Sequence, residues 1–261
     1  VRFHANGQKA REENWTDGFM HGPWAEWDAE GHKTLSGAYD RGRKHGKWWD
    51  WGPDGRPTEL TTWEDGQQRG PAVSWFDDGD VEQVGHHDAG APVGLWIAFH
   101  ETGGVASLTP WKAGMKHGME SVLTAGGRPV RETLFEEGRM VREQTWHLSG
   151  APERRRAADG SDEILDRDGR RLKWCRPEGA HMRCEEWYAD GTPRARYALL
   201  DQRKDGAYRT WHPDGTPAAT GSYVEGRREG RWEFRGPDGA LQTERSGIYE
   251  RGARARGLPG G

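Results

Sequence analysis

The histidines and cysteines are the first side chains whose type and spacing could support chemistry. His21, His45 and His117 each stand immediately before a glycine, so a metal-ligating residue recurs in a regular place. On successive strand pairs such positions lie roughly 10 Å apart, too far to share one ion. The regularity therefore points to turn structure. The adjacent His86 and His87 would face opposite sides of a strand and make a poor metal pair. Asp54-Gly55, Asp214-Gly215 and Asp238-Gly239 invite a calcium reading. A calcium loop needs several oxygens converging from one short segment, whereas each of these offers one or two carboxylates. Cys175 and Cys184 flank Pro177-Glu178-Gly179, a turn signal. If the flanks pair as a hairpin, the two could form a cross-strand disulfide; two free thiols are the equal alternative. Zinc would need further ligands that do not accompany them. No nucleophile elbow, phosphate-cradling loop or zinc-protease motif occurs. Carboxylate pairs such as Glu136-Glu137 and Glu185-Glu186 suit a solvated surface rather than acid–base work. The expectation is a non-enzymatic protein with no metal and no cofactor.

The composition narrows what can position side chains. Only 33% of residues are apolar, 31% are charged and the mean hydropathy is -1.05, values that lean towards disorder. Against that stand 15 Trp and 39 Gly, a few large anchors and many turns. The net charge of -4 lacks the basic excess expected of a phosphate-tracking protein, so nucleic acid is not an expected partner. No run of 18 apolar residues exists to span a bilayer as a helix. The sequence starts at Val1 within a repeat, so a targeting segment is expected to lie outside it, and the compartment, bacterial cytoplasm or cell envelope, stays open.

The elements emerge from periodicity. Gly22, Gly46, Gly70, Gly94 and Gly118 are each 24 residues apart, and so are Gly7 to Gly127 and Gly18 to Gly138 in two further columns. The period slips through Gly150 and Gly169 and resumes at Gly191, Gly215 and Gly239, with Gly206 and Gly230. Five residues after the first glycine stand Trp27, Trp51, Trp75, Phe99 and Leu123, with Trp146, Trp187 and Trp211 later. Two residues after it stand Trp24, Trp48, Trp96, Tyr208 and Trp232, interrupted by Ala72 and Glu120. Aromatic-rich strands ending in Pro-Asp-Gly turns predict hairpins, joined through a looser glycine connection. One hairpin is marginal alone, so the hairpins must stack edge to edge and be stabilised by their neighbours. The predicted fold is all-β, an elongated twisted antiparallel sheet, on the order of 100 Å long from about 4.8 Å per strand.

The segments Tyr39 to Gly55 (YDRGRKHGKWWDWGPDG) and Tyr223 to Gly239 (YVEGRREGRWEFRGPDG) resemble the MORN repeat, an aromatic and a glycine followed by a charged stretch, an aromatic strand and a glycine turn. The spacing is similar to that of bacterial variant MORN repeats, which are often catalogued as antitoxin components of toxin–antitoxin systems. The resemblance covers about 14–138 and 185–252. It implies a repeat scaffold that binds a partner protein, a toxin or effector, in an immunity-like role. Two other readings compete: a wall module whose aromatic cages bind carbohydrate or choline, and membrane-surface association, which the net charge does not favour.

The organisation expected is a regular array over 1–138, off-period degenerate repeats over 139–181, a second regular array over 182–252 and a flexible tail over 253–261. The fifth-residue column, apolar in nearly every repeat, reads as packing. The second-residue column tolerates glutamate, so Trp24, Trp48, Trp96, Tyr208 and Trp232 are the candidates for a partly exposed partner-binding face. Arg154, Arg155 and Arg156 are a second candidate, for gripping an acidic partner, or else a solvated loop in a decayed repeat.

Overall fold

The protein is described here by a computed structural model covering residues 1–258. Among the described residues it is all β, made of stacked antiparallel hairpins and not closed into a barrel. The chain forms two compact units, Val1–Met140 and Val141–Gly261.

Two kinds of turn alternate. At the first, Gly31 N–H donates to Asp28 O at 3.2 Å and Asp28 N–H to His32 O at 2.9 Å. This is a type I turn closed by a left-handed glycine (φ 90). Gly55 (φ 79) and Gly215 (φ 84) repeat it. The aspartates of these turns are already engaged: Asp54, Asp78 and Asp214 each accept the N–H two residues ahead, at 2.9–3.1 Å.

The second kind is the connection expected to be looser, and the structure makes it the tighter one. Arg41 (φ 46) and Gly42 (φ 80) are both left-handed, and Asp40 and Arg43 on either side are Cα partners. That is a two-residue hairpin turn whose twist suits the flanking strands. The glycine N–H points at the preceding repeat: Gly42 donates to Met20 O at 2.8 Å, Gly66 to Lys44 O at 3.0 Å and Gly226 to Lys204 O at 2.8 Å. Residues before the glycines clip the same turns. His117 Nδ1 accepts the Glu137 N–H at 3.4 Å, while Asp205 and Glu229 do the same for Glu225 and Arg251. His117 is thus a turn acceptor in a place where a carboxylate also serves, while His21 lies 3.1 Å from Asp40. On the other side, His4, His100 and His212 reach carbonyl oxygens of the next repeat, Trp27, Leu123 and Arg235, at 2.8–2.9 Å.

The repeats also come in two conformations. Gly46, Gly94 and Gly230 have φ of 73, 70 and 69, and the strand runs through them as Arg43–Trp51, Ala91–Phe99 and Arg227–Phe234. Gly22, Gly70, Gly118 and Gly206 have φ of 86 to 113, and there the strand breaks in two, as at Gln67–Gln68 and Gly70–Trp75. In unit 1 the two kinds alternate, giving a true period of 48 residues.

The off-period stretch is regular too. Arg139–Trp146, Pro152–Ala157, Asp162–Leu165, Arg171–Glu178 and His181–Trp187 are strands. The slip arises because a first-kind turn, with Gly160 donating to Ala157 O at 3.0 Å, stands where a two-residue turn belongs. At the end, Ala253–Gly257 is a strand paired with Gly247–Glu250 rather than part of a tail. Residues 259–261 of the expected tail lie outside the described residues.

Candidate binding surfaces

Partial exposure is expected of the second-residue column, Trp24, Trp48, Trp96, Tyr208 and Trp232. The structure buries most of it instead: Trp48 and Trp232 are 1% exposed, Trp24 8%, and even Ala72 and Glu120 are buried, while Trp96 and Tyr208 are half-buried. Where the strand runs unbroken through the first glycine, the ring is seated on a glycine eleven residues earlier, in the preceding strand. There Gly37, Gly85 and Gly221 lie flat beneath the Trp48, Trp96 and Trp232 rings, so close that a Cβ would sit 2.1–2.3 Å from ring carbon. Each indole N–H then donates to a carbonyl ten residues back, Ala38, His86 and Ser222, at 3.0–3.2 Å. Where the column holds Ala72 or Glu120 the earlier position holds Thr61 or Thr109 instead. For Trp48, Trp96 and Trp232 ring and glycine are therefore matched as knob and socket, whereas Trp24 and Tyr208 have Glu13 and Tyr197 at that position. Tyr39 meets Trp48 edge-on at 5.1 Å, and Tyr223 meets Trp232 likewise at 5.0 Å. Tyr208 belongs to the second of these clusters, 5.6 Å from Trp232.

Glutamate in the column does not mark a solvent site. Glu120 is ion-paired with Lys116, accepts from Thr109 at 3.4 Å and lies 3.6 Å from Arg131. A buried carboxylate satisfied in this way can replace a ring. The inference from its tolerance to an exposed face is overturned for Trp24, Trp48 and Trp232. Trp96 alone among the tryptophans of the column stays half-exposed.

The arginine run is not a loop. Arg154, Arg155 and Arg156 lie on the strand Pro152–Ala157, and their guanidiniums are engaged within the sheet. Arg154 donates two bonds to Asp162, at 2.6 and 2.8 Å. Arg155 donates to Gln144 at 2.9 Å and Glu163 at 3.0 Å, and Arg156 lies 3.6 Å from Glu143. Cys175 and Cys184 are Cα partners joined by a disulfide, and both are buried. Cys184 falls in the second-residue column, so the bond closes at this rung the space that a ring fills elsewhere.

The side of the sheet facing away from that column is set by the strand period of two. Following the register across unit 1, one row reads Trp49, Leu60, Val73, Val84, Ile97 and Leu108, each the Cα partner of the next. Two residues along lie Trp51, Trp75, Phe99 and Leu123 of the fifth-residue column; Trp49 stacks on Trp51 at 5.9 Å and on Trp75 at 5.8 Å. Apart from buried Leu60, these side chains are only half-buried, and Leu95 on the same side is 50% exposed. The column expected to be core is thus the more open of the two. In unit 2 the equivalent row reads Arg155, Glu163, Trp174, Glu185, Arg196 and Arg209. Its charges pair across strands, as in Arg155–Glu163 at 3.0 Å and Arg196–Glu185 at 3.7 Å. Sequence reasoning missed the apolar row, although Trp49, Val73 and Ile97, and Leu60, Val84 and Leu108, each recur at the 24-residue spacing.

Among the described residues no group of three or more metal-ligating side chains converges, and no helix is long and apolar enough to cross a membrane. No family model matches the chain, and no curated protein matches it. Among solved structures, a chain in the crystal structure of TcdB2-TccC3-TEV aligns with 92% of this chain at 11% identity and a TM-score of 0.24. A chain in a mutant Photorhabdus luminescens Tc holotoxin pore aligns with 84% at 12% identity and a TM-score of 0.19. This chain corresponds to 15% of the length of each.

Proposed function

We propose that this protein is a non-enzymatic repeat scaffold that binds a partner protein on the apolar face of unit 1. One observation carries the reading: the row from Trp49 to Leu108 is uncharged and, Leu60 apart, half-exposed, whereas the same register position in unit 2 holds charged residues on every strand from Arg155 to Arg209 except at Trp174. Surface rows of a sheet facing only water are ordinarily polar. Six strands at about 4.8 Å, with three side-chain rows of about 7 Å, give a patch of roughly 600 Å². That is the lower end of the share one partner contributes to a standard protein–protein interface. The occupant is a protein with a complementary apolar surface, because a preorganised sheet face loses little entropy on docking.

The MORN resemblance of the turn and strand segments supports a finer version, an immunity- or antitoxin-like factor that occludes its partner. The buried Cys175–Cys184 bond fits an oxidising compartment such as the cell envelope. The test compares affinity capture by the wild-type chain, Val73→Glu with Ile97→Glu, and the unit 2 control Arg209→Glu. A partner identified with the wild type should be lost at least tenfold with the double variant, kept with the control, and bound by the wild type when purified. Equal capture by all three chains, with β circular dichroism intact, overturns the assignment of this face.

A further inference from the structure

The opposite face of the sheet holds a recurring internal cation site. Two residues before the first glycine stands Lys44, Lys116, Lys204 or Arg228, and each projects over the aromatic residues of its own repeat. Lys44 Nζ lies 4.1 Å from the Trp48 ring centre and 4.6 Å from Trp63. Lys204 lies 4.4 Å from Tyr208 and 5.3 Å from Tyr223. Arg228 covers Trp232 at 5.1 Å. Attraction between an ammonium and the negative face of a ring is strongest when both are partly removed from water, as they are here.

Two repeats have the rings without a cation at that position; at Gly22, where Met20 stands there, Arg11 covers Trp24 at 5.5 Å instead, and the other has no such substitute. At Gly94 the aromatic positions are Trp96 and Trp111, but the lysine position holds Pro92. Trp96 is seated as Trp48 is: over a glycine, with its N–H on a backbone carbonyl, and met edge-on by His87 at 5.0 Å. No lysine or arginine among the described residues lies over its ring, and Lys116 reaches Trp111 only at 6.0 Å. Trp96 is half-buried, as Tyr208 is, whereas Trp48 and Trp232 are 1% exposed under their cations. The column neighbour before Trp96 is Ala72 rather than a ring, which leaves room at its flank. Unit 1 carries 15 Lys and Arg against 22 Asp and Glu, a balance of -7 that favours a positive guest.

We infer that Trp96 and Trp111 form an open receptor for an alkylammonium group, which takes the place that Lys44 holds in the preceding run-through repeat. The site lies on the face opposite the apolar row, so it does not depend on that row binding anything. An alkylammonium could come from a lysine side chain of a protein or from a small methylated amine, and the two share the chemistry the rings recognise.

The test follows indole N–H resonances of the isotope-labelled full chain during titration with tetramethylammonium chloride, against sodium chloride at equal ionic strength. A parallel titration uses N-acetyl-lysine methylamide. Saturable shifts at Trp96 and Trp111, absent at Trp48, are expected with one or both probes, and the tighter probe identifies the source. Pro92→Lys supplies the cation internally and should weaken binding at least tenfold while the spectrum stays folded. Trp111→Leu, which removes one wall, should weaken it as well and covers the case in which Pro92→Lys does not fold. Shifts no larger than the salt control with both probes, equal shifts at Trp48, or undiminished binding by a folded Pro92→Lys chain would overturn the inference.

Discussion

At the scale of single residues, volume is what the sheet regulates most closely. Gly37 and Trp48 fill one space between them, and adding a methyl to the glycine forces the ring out of its seat. Gly37→Ala is expected to destabilise by about 1–3 kcal/mol, the range for overpacking, and Trp48→Ala by about 3–5 kcal/mol. Gly37→Thr combined with Trp48→Ala recreates the natural Thr61 and Ala72 pair. Chemical denaturation should therefore find the double variant more stable than the sum of its singles predicts, and strict additivity would remove the knob-and-socket account. A second residue-scale feature is electrostatic. Asp50 and Glu59 are direct cross-strand partners of like charge. Burial raises both carboxyls above their usual range; Asp50 raises Glu59 further, and Lys44 opposes both shifts. A raised folded-state value means that their contribution is complete below the ordinary carboxylate range and lost as pH climbs through the raised values. Asp50→Asn should accordingly raise the melting temperature at pH 7, by an amount in keeping with about 0.2–1 kcal/mol. The gain should shrink as the pH approaches 4; a constant gain across that range would exclude the titration.

At the scale of elements, the hairpins, their 24-residue frame and their glycine turns were legible in the sequence, because each needs a local conformation that few residues supply. Gly55 and Gly215 are left-handed as turn chemistry requires. Which face was core was not legible. Glu120 looked like proof of exposure because its partners, Lys116 and Arg131, become neighbours only once the strands pair. The arginine run looked like a loop because charge density was read without the carboxylates that register brings alongside, Asp162 and Glu163. The pairing of a glycine with a tryptophan eleven residues later was present in the sequence but meaningful only across two strands. The Cys175–Cys184 hairpin gives the test at this scale. Closing so short a loop contributes about 2–3 kcal/mol through the unfolded chain. Reduction by a thiol should therefore lower protection from amide exchange most in Arg171–Glu178 and His181–Trp187. Unchanged protection there would mean that packing alone holds this rung.

At the scale of the whole molecule, each hairpin touches only its neighbours, so stability is close to a sum of repeat and interface contributions. The alternation of two repeat conformations adds a condition to that sum. A socket glycine belongs to the first of two hairpins and its ring to the next, so the interchangeable part is a pair of hairpins. Removing residues 70–93 would set Thr61 beneath Trp96, where a glycine is required, whereas removing 46–93 would return Gly37 to a tryptophan. The 48-residue deletion should yield a folded β chain by circular dichroism, and the 24-residue deletion a chain that melts lower or fails to fold. If both deletions were tolerated equally, the sockets would not govern the length. Unit 1 can therefore lengthen or shorten by recombination only in double steps, as a zip fastener must lose teeth from both tapes to close again.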